Sequence, residues 1–380
     1  MHTSAPNIRH LAALAATVRH GSVTAAARVV NLTQPALTQA IARLERDLGC
    51  ALFERGAGGM APTPPALLLA PRAEAAIAAI GSPRVTGTQV HAFLALARAG
   101  SYGGAAEATG LAPASLHRAV GDLALALGAR LVERRGRHVV LTPAGQRRAR
   151  GFGLAMAELR AGLAEVAAWQ GKAAGRIVVG AMPLSRARWL PGAILRFAAV
   201  NPAVEIAVVE GSHAELAGPL RDGEIDLMLG ALREGLPGDE LVQEAVFVDS
   251  PQVIARAGHP LANARELSGA DLAAHEWIMP GRETPLRRYW EAMIADTGAV
   301  PPPVRIECGS VLTVRQLLLG SDALTLLSPD QLAVELAAGV LVALPPPVPV
   351  MRTIGITTRT GWRPTAPQAA FVECLRTSGD

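Results

Sequence analysis

Lysine, cysteine and aromatic side chains are scarce in this 380-residue sequence. Lys172 is the only lysine, so every other side-chain cation apart from histidine is an arginine, a bias that genome composition explains as readily as phosphate recognition. Three cysteines, Cys50, Cys308 and Cys374, stand far apart without a CxxC pair, which excludes a disulfide framework and a zinc site and fits a reducing compartment, the cytoplasm. Five Trp, two Tyr and six Phe are too few for an aromatic-rich β-sandwich. No stretch of about 18 uninterrupted apolar residues exists to span a bilayer. The short apolar run from Leu11 to Val18 behind Arg9 is closed by Arg19 and His20, and no cleavage site follows, so it reads as a buried helix face rather than a signal peptide. Enzyme motifs are missing as well: there is no GxSxG elbow, HExxH or P-loop, and Gly151-Phe152-Gly153 fails the dinucleotide fingerprint at its third glycine. The nine histidines are scattered. No catalytic residue, cofactor or metal is expected.

What is present is apolar mass carried by Ala, Leu and Val, making up most of the 50% hydrophobic content, and enough chain for two or three domains. The net charge of +4 conceals an asymmetry: residues 1–172 hold 19 cations against 9 acids, and residues 173–380 hold 17 against 23. The N-terminal part is the one that faces a polyanion.

An internal repeat organises that part. Shifted by 79 residues, Gly21–Pro64 aligns with Gly100–Pro143 without a gap, and 15 of the 44 positions are identical, among them Gly21-Ser22 with Gly100-Ser101, Glu54-Arg55 with Glu133-Arg134, and Thr63-Pro64 with Thr142-Pro143. Each copy reads as two short helices, a longer helix and a turn-rich extension. Ser22 caps a helix running to Val30, Asn31-Leu32 makes the turn, and Thr33 caps the longer helix with Pro35 in its first turn. Leu37, Ile41, Leu44 and Leu48 form one inward stripe. Gln34, Thr38, Gln39 and Arg46 are thereby left on the opposite face, where amides, hydroxyls and arginine suit base edges and phosphates. A solvated helix face is the plainer account of such residues, but the helix-turn-helix frame and the local basicity favour DNA. Leu52–Gly59 and Leu131–Val140 read as small β-wings whose Arg55, Arg134, Arg135 and Arg137 neutralise phosphates.

The runs G-S-x-x-x-A-A, T-Q-P-A-L-T-Q-A-I-A-R-L-E and L-G-C-x-L-F-E-R resemble the winged helix-turn-helix of LysR-type regulators. The second copy is less similar in its reading segment, Ala112 to Arg118, and more similar in its exit, Val140 to Gly145, from which the resemblance implies a long dimerisation helix over Gln146–Trp169. Copy two lacks the capping threonine, having Ala112, and carries Asp122 where copy one has Arg43. Copy one has Pro64-Pro65 at its exit, so its following helix, Ala66–Ile80, is expected to be a packed connector. Copy one is therefore expected to carry most base specificity and copy two phosphate contacts and dimer linkage; the expected DNA contacts are Ser22, Thr33, Gln34, Pro35, Thr38, Gln39, Arg43 and Arg55 in copy one and Ser101, Ser115, His117, Arg118, Arg134, Arg135 and Arg137 in copy two.

From Arg176 onward, short β-branched runs alternate with helical stretches, the pattern of parallel α/β units. This half resembles the family's periplasmic-binding-protein-like domain, which implies two lobes crossed near Asp249-Ser250 and Pro345–Pro347, with an effector in the cleft between them. By position after the strands, the candidate effector contacts are Leu184, Ser185, Arg186, Gly230, Ala231, Pro280, Gly281, Arg282, Thr284, Ser310, Val311 and Ser328. The texture of Val179–Arg188 and Leu324–Pro329 is similar to a family branch that includes sugar-responsive regulators of galactose-binding-protein genes, which implies a sugar or sugar acid held by Arg186 or Arg282.

The expected fold is thus a multi-domain α/β chain: winged helix-turn-helix modules at 1–65 and 87–145, a connector at 66–86, a linker helix at 146–172, and a two-lobed effector domain at 173–380, with lobe I formed by 173–250 and 346–380 and lobe II by 251–345. The expected partners are double-stranded DNA, a small-molecule effector and further copies of the chain as a homodimer or homotetramer, with no membrane. The competing readings are a secreted solute-binding protein, and a ligand-binding protein whose degenerate helix-turn-helix copies make protein contacts rather than DNA contacts.

Overall fold

A computed structural model describes residues 7–56, 59–136, 138–172, 175–235 and 238–378. The chain separates into two compact units, one reaching to Arg176 and including Ala203–Glu205 and Arg221–Glu224, the other holding the remainder.

The first unit is the repeat made solid. Copy one comprises α1 (Ile8–His20), α2 (Val23–Val29), α3 (Gln34–Leu48), a hairpin of β1 (Phe53–Gly56) and β2 (Gly59–Pro62), and α4 (Pro64–Ile80). Copy two comprises α5 (Gly87–Ala99), α6 (Tyr102–Thr109), α7 (Pro113–Leu127), β3 (Val132–Arg135), β4 (His138–Leu141) and α8 (Pro143–Trp169). Every element of copy two starts 79 residues after its counterpart, as with Ile8 and Gly87, Gln34 and Pro113, or Pro64 and Pro143, so the repeat extends beyond the aligned segment in both directions. The sequence reasons are local. Ser22 and Ser101 accept hydrogen bonds from Ala25 and Gly104 N–H, and Thr33 from Ala36 N–H, closing the first turns of α2, α6 and α3. Leu37, Ile41 and Leu44 are fully or nearly buried, and so are their counterparts Leu116, Val120 and Leu123. Gly21, Gly49, Gly100 and Gly128 end their helices with positive φ, the conformation that glycine takes without strain.

The helices α4 and α8 pack antiparallel. Leu69 and Arg72 meet α8 at Gly162, and at the other end Ala79 meets Gly151 while Arg148 donates to the carbonyl of Ile80. Ala66, Leu69, Ala73, Ala76 and Ile80 on α4, and Phe152, Ala155, Leu159, Gly162 and Val166 on α8, are buried at alternating three- and four-residue spacings, the periodicity of two helices in prolonged contact. A Cβ at Gly162 would come within 2.8 Å of Leu69 Cδ1, and one at Gly151 within 2.7 Å of the Ala79 carbonyl oxygen, so at Gly151 the absent side chain is what lets the backbones approach. Arg72 is only 5% exposed and reaches Glu158 at 3.2 Å and Glu165 at 2.6 Å. Burial works against its charge, and the Glu165 and Glu158 carboxylates outweigh that, holding the guanidinium above its ordinary pKa.

In the second unit, β5 (Arg176–Ala181), α9 (Trp189–Val200), β6 (Glu205–Glu210), α10 (His213–Arg221), β7 (Leu227–Ala231) and β8 (Leu241–Asp249) build the first lobe. The chain then crosses to β9 (Gln252–Arg256), α11 (Gly269–Ala273), β10 (Ile278–Met279), α12 (Pro285–Asp296), β11 (Ile306–Glu307), α13 (Val311–Leu319), β12 (Thr325–Leu327), α14 (Ala333–Ala337) and β13 (Leu341–Leu344), before returning as β14 (Arg352–Arg359) and α15 (Ala366–Arg376). The first lobe's sheet has the order β6-β5-β7-β14-β8. The expected parallel pairing holds for β5 with β7, but β14 runs antiparallel to both its neighbours. The reason is topological: the chain leaves at the end of β8 and re-enters beside it, so β14 must run back against β8. Asp249 and Arg352 pair across this crossing with Nε to Oδ2 at 2.6 Å, buried in the strands that join the lobes. Trp277, Trp290, Ile254 and Leu326 centre the second lobe's core.

Replacing Arg72 with Ala leaves two half-buried carboxylates facing a gap, and the loss should be about 3–5 kcal/mol of unfolding free energy. Chemical denaturation followed by helix content reads this, and adding Glu158→Gln and Glu165→Gln to Arg72→Met should recover most of the loss. An Arg72→Ala protein as stable as the parent would contradict the packing described.

Candidate DNA interface and effector cleft

In α3, burial of Leu37, Ala40, Ile41 and Leu44 leaves Thr33, Gln34, Pro35, Gln39, Arg43 and Arg46 exposed, with Thr38 half-buried. Gln34 donates its side-chain amide to the Thr24 hydroxyl, which ties the start of α3 to α2. Arg43 pairs with Asp47 at 3.1 Å on the open surface, a contact too solvated to hold it away from another anion. Ser22 and Thr33 are occupied as caps yet lie at the surface, where their helix N-termini offer N–H groups to phosphate. Gln39, Arg43 and Arg46 also line an open hollow of about 980 Å³ shared with His10 and Cys50.

Copy two presents different chemistry in the same frame. Pro113 and Gly103 stand where Gln34 and Thr24 stand in copy one, so that amide link is missing. In its place the His117 ring stacks on Tyr102, centroids 4.6 Å apart and planes at 25°, tying α7 to α6. Burial pushes the Tyr102 phenol up, and the charge of the wing's Arg134 pulls the other way. Ala112 supplies no side-chain cap. Ser115, His117, Arg118, Arg134 and Arg135 are exposed, Ser101 is half-buried, and Leu125 is 82% exposed where copy one has Arg46. Arg55 lies on β1, and Arg137 falls outside the described residues. The sequence therefore found the outward residues of both reading helices but not the Tyr102–His117 stack, which joins two residues fifteen apart.

In the second unit the candidate effector residues follow strands, except Gly230 and Ala231, which were expected after the third strand but lie inside it because β7 runs on to Ala231. Leu184 and Ser185 are buried, and the Ser185 hydroxyl donates to the Met182 carbonyl at 2.8 Å, so it closes its own turn. Arg186 pairs with Glu210. Gly230, at φ 151°, sits against Met182, and Ala231 ends β7 beside it. Strands β10 and β11 pair in parallel, and Trp277 bridges to Leu324 in the same sense, so Pro280, Gly281, Ser310 and Ser328 all follow strand ends at one edge of the second lobe. Thr284 caps α12 and donates to the Gly281 carbonyl at 2.8 Å, while Ser310 caps α13 ahead of Val311. Arg282 is 80% exposed with Glu307 at 3.8 Å. Arg188 of the first lobe reaches Asp330, two residues past Ser328, at 3.2 Å, so the segments after β5 and after β12 meet across the lobes.

Three arginines escaped the sequence reading. Arg287 is buried, pairs with Glu291 at 3.0 Å and Glu307 at 3.6 Å, and lies over Trp290. Arg233, two residues past Ala231, belongs to the first lobe, and Arg288 to the second. Arg233 is half-buried and Arg288 exposed; burial lowers the Arg233 guanidinium below its ordinary pKa, and the charge of Arg288 adds to the lowering. Neither has a carboxylate partner among the described residues. The dibasic Arg287-Arg288 pair behind a Thr-Pro cap was the available signal.

Comparison with known proteins agrees with both halves. Residues 8–67 and 88–146 each match the family of bacterial regulatory helix-turn-helix proteins of the lysR type, and residues 170–380 match the LysR substrate binding domain. An HTH-type transcriptional regulator, GalR, of Pseudomonas putida is 33% identical over 98% of this chain and 97% of its own. PcaQ of Agrobacterium fabrum, also an HTH-type transcriptional regulator, is 27% identical over 77% of this chain and 94% of its own. Among solved structures, a full-length OxyR variant of Pseudomonas aeruginosa aligns with a TM-score of 0.58 at 23% identity, over 77% of this chain and 93% of that one. The LysR family regulator CbnR aligns at 0.54 and 20% over 77% and 98%. PcaQ, OxyR and CbnR are thus matched nearly end to end while almost a quarter of this chain has no counterpart in them, a share close to one 79-residue repeat. No described helix is long and apolar enough to cross a membrane. The family models cover most of the sequence, helix-turn-helix twice and sensor domain once: the chain belongs to the LysR family of bacterial transcriptional regulators.

Proposed function

We propose that this regulator binds operator DNA sequence-specifically through its repeated modules, and that the cleft of its second unit senses a small anionic polar molecule in the cytoplasm, a sugar acid being the class that suits it. What carries the DNA reading is the outward face of α3, where Gln34, Gln39, Arg43 and Arg46 stand exposed above a fully buried stripe. Amides of that kind discriminate base edges, while arginine serves guanine or phosphate. Module two, with exposed Arg118, Arg134 and Arg135 but Asp122 and Leu125 on α7, adds more phosphate attraction than base discrimination. For the effector, Arg233 and Arg288 supply the support. Half-buried Arg233 feels the like charge of exposed Arg288 on the other lobe, and an anion taken up by both would relieve that repulsion and give the two lobes a reason to close. Arg282 and Arg287 lie on the same second-lobe segment, and Thr284 caps its helix. Catalysis plays no part in this reading.

Gel shifts of the full chain with upstream duplex at two salt concentrations test the first half. Binding should weaken steeply with salt, as release of condensed counterions requires. Gln34→Ala should cost more sequence discrimination than Arg118→Ala. Absent or salt-insensitive binding would favour modules that serve protein contacts, the reading that Leu125, 82% exposed, would suit.

A thermal-shift panel of sugar acids, aromatic acids and neutral sugars tests the second half. Carboxylated compounds should raise the melting temperature in a concentration-dependent way, and Arg233→Gln should abolish that rise. Equal stabilisation by neutral sugars would count against the anion.

A further inference from the structure

The two modules are not merely repeated; they are paired. Packing between α4 and α8 has the reciprocity of a two-fold axis. In such an interface, if residue i of one copy meets residue j of the other, the equivalents of j and i must meet as well. Arg72 meets Glu158 at 3.2 Å. With the 79-residue offset, the equivalents of Glu158 and Arg72 are Ala79 and Gly151, and a Cβ at Gly151 would lie 2.7 Å from the Ala79 carbonyl oxygen. The buried faces share one phase too: Ala73, Ala76 and Ile80 on α4 are equivalent to Phe152, Ala155 and Leu159 on α8, and all six are buried. An internal pseudo-two-fold therefore relates copy one to copy two, and it relates α3 to α7.

Two reading helices related by a two-fold axis are the arrangement with which helix-turn-helix dimers read the two halves of one operator. Here a single chain supplies both. We propose that each chain occupies both half-sites of a DNA duplex by itself, α3 in one half and α7 in the other, and that the two half-sites differ in sequence. The difference follows from the side chains. Thr38, Gln39 and Arg43 of α3 face their half-site where α7 offers His117, Arg118 and Asp122. Gln39 presents an amide suited to adenine, and Arg118 a fork suited to guanine. The half read by α3, with its threonine cap and its tie from Gln34 to Thr24, should be the better specified of the two. The α8 face that covers α4 is already occupied, so a second chain is not needed to complete the DNA-binding pair; further copies would add whole operators rather than missing halves.

This inference rests on the DNA-binding reading above, and one experiment separates the failure of each. Full-length wild type, Gln39→Ala and Arg118→Ala proteins each select duplexes from a randomised pool, and the enriched sequences are compared. Both replaced residues are exposed, so folding is not at stake. Wild type should enrich an asymmetric sequence of two unlike halves. Gln39→Ala should relax base preference in one half alone and Arg118→Ala in the other alone, each lowering enrichment of the preferred base by about tenfold, the worth of one good side-chain-to-base contact. A palindrome relaxed in both halves by Gln39→Ala, or an Arg118→Ala selection indistinguishable from wild type, overturns the proposal while leaving the DNA reading intact. No enrichment by any of the three overturns both.

Discussion

The antiparallel contact of α4 with α8 is the constraint on which the DNA-binding unit depends. It is built from small residues: alanines at 66, 73, 76 and 155 and glycines at 151 and 162 bring two helix backbones together. Close approach of that kind depends on tight packing, and a side chain at Gly151, whose Cβ would lie 2.7 Å from the backbone carbonyl oxygen of Ala79, would force the helices apart. Arg72 sits in the middle between two glutamates and fixes the alignment. A sliding of one helix by a turn would leave a buried guanidinium and two carboxylates unpaired, which is far costlier than the displaced alanine contacts. The same contact orients both reading helices, since α3 and α7 are each packed on the module that ends in α4 or α8.

The second unit depends on a different fixed point. Two strands cross between the lobes, and Asp249 and Arg352 pin them together just where the chain leaves and returns. A ligand shifts the balance between two arrangements of such lobes only through a difference in its affinity for them.

Much of this was legible in the sequence. The 79-residue offset, the capping residues Ser22, Thr33 and Ser101, and the stripe of Leu37, Ile41 and Leu44 are local or periodic features, and local chemistry writes them directly into the order of residues. The pairing of α4 with α8 was not legible. The sequence presents both helices as apolar, one as a connector and the other as a dimerisation helix, because periodicity tells which face is buried but not against what. The glycines that permit the contact, Gly151 and Gly162, look like weak points in a helix rather than points of approach. In the second unit, position alone locates the loops after the strands, yet Ser185 closes its own turn, and although Arg287-Arg288 is marked by its Thr-Pro cap, nothing along the chain marks Arg233. A charge has no periodicity that would betray it. The antiparallel course of β14 is hidden for the same reason, since it follows from where the chain re-enters rather than from the strand's own residues.

The pairing of the two modules within one chain is tested most directly by cross-linking. In a protein with Cys50, Cys308 and Cys374 replaced by serine, the pair Leu69→Cys and Gly162→Cys places two thiols where a Cβ at 162 lies 2.8 Å from the Leu69 Cδ1. Mild oxidation at low protein concentration, followed by a non-reducing gel, separates the two possibilities. The account predicts a compact species that runs as a single chain and loses two free thiols. A covalent dimer as the main product would mean that α4 of one chain pairs with α8 of another, and would contradict it.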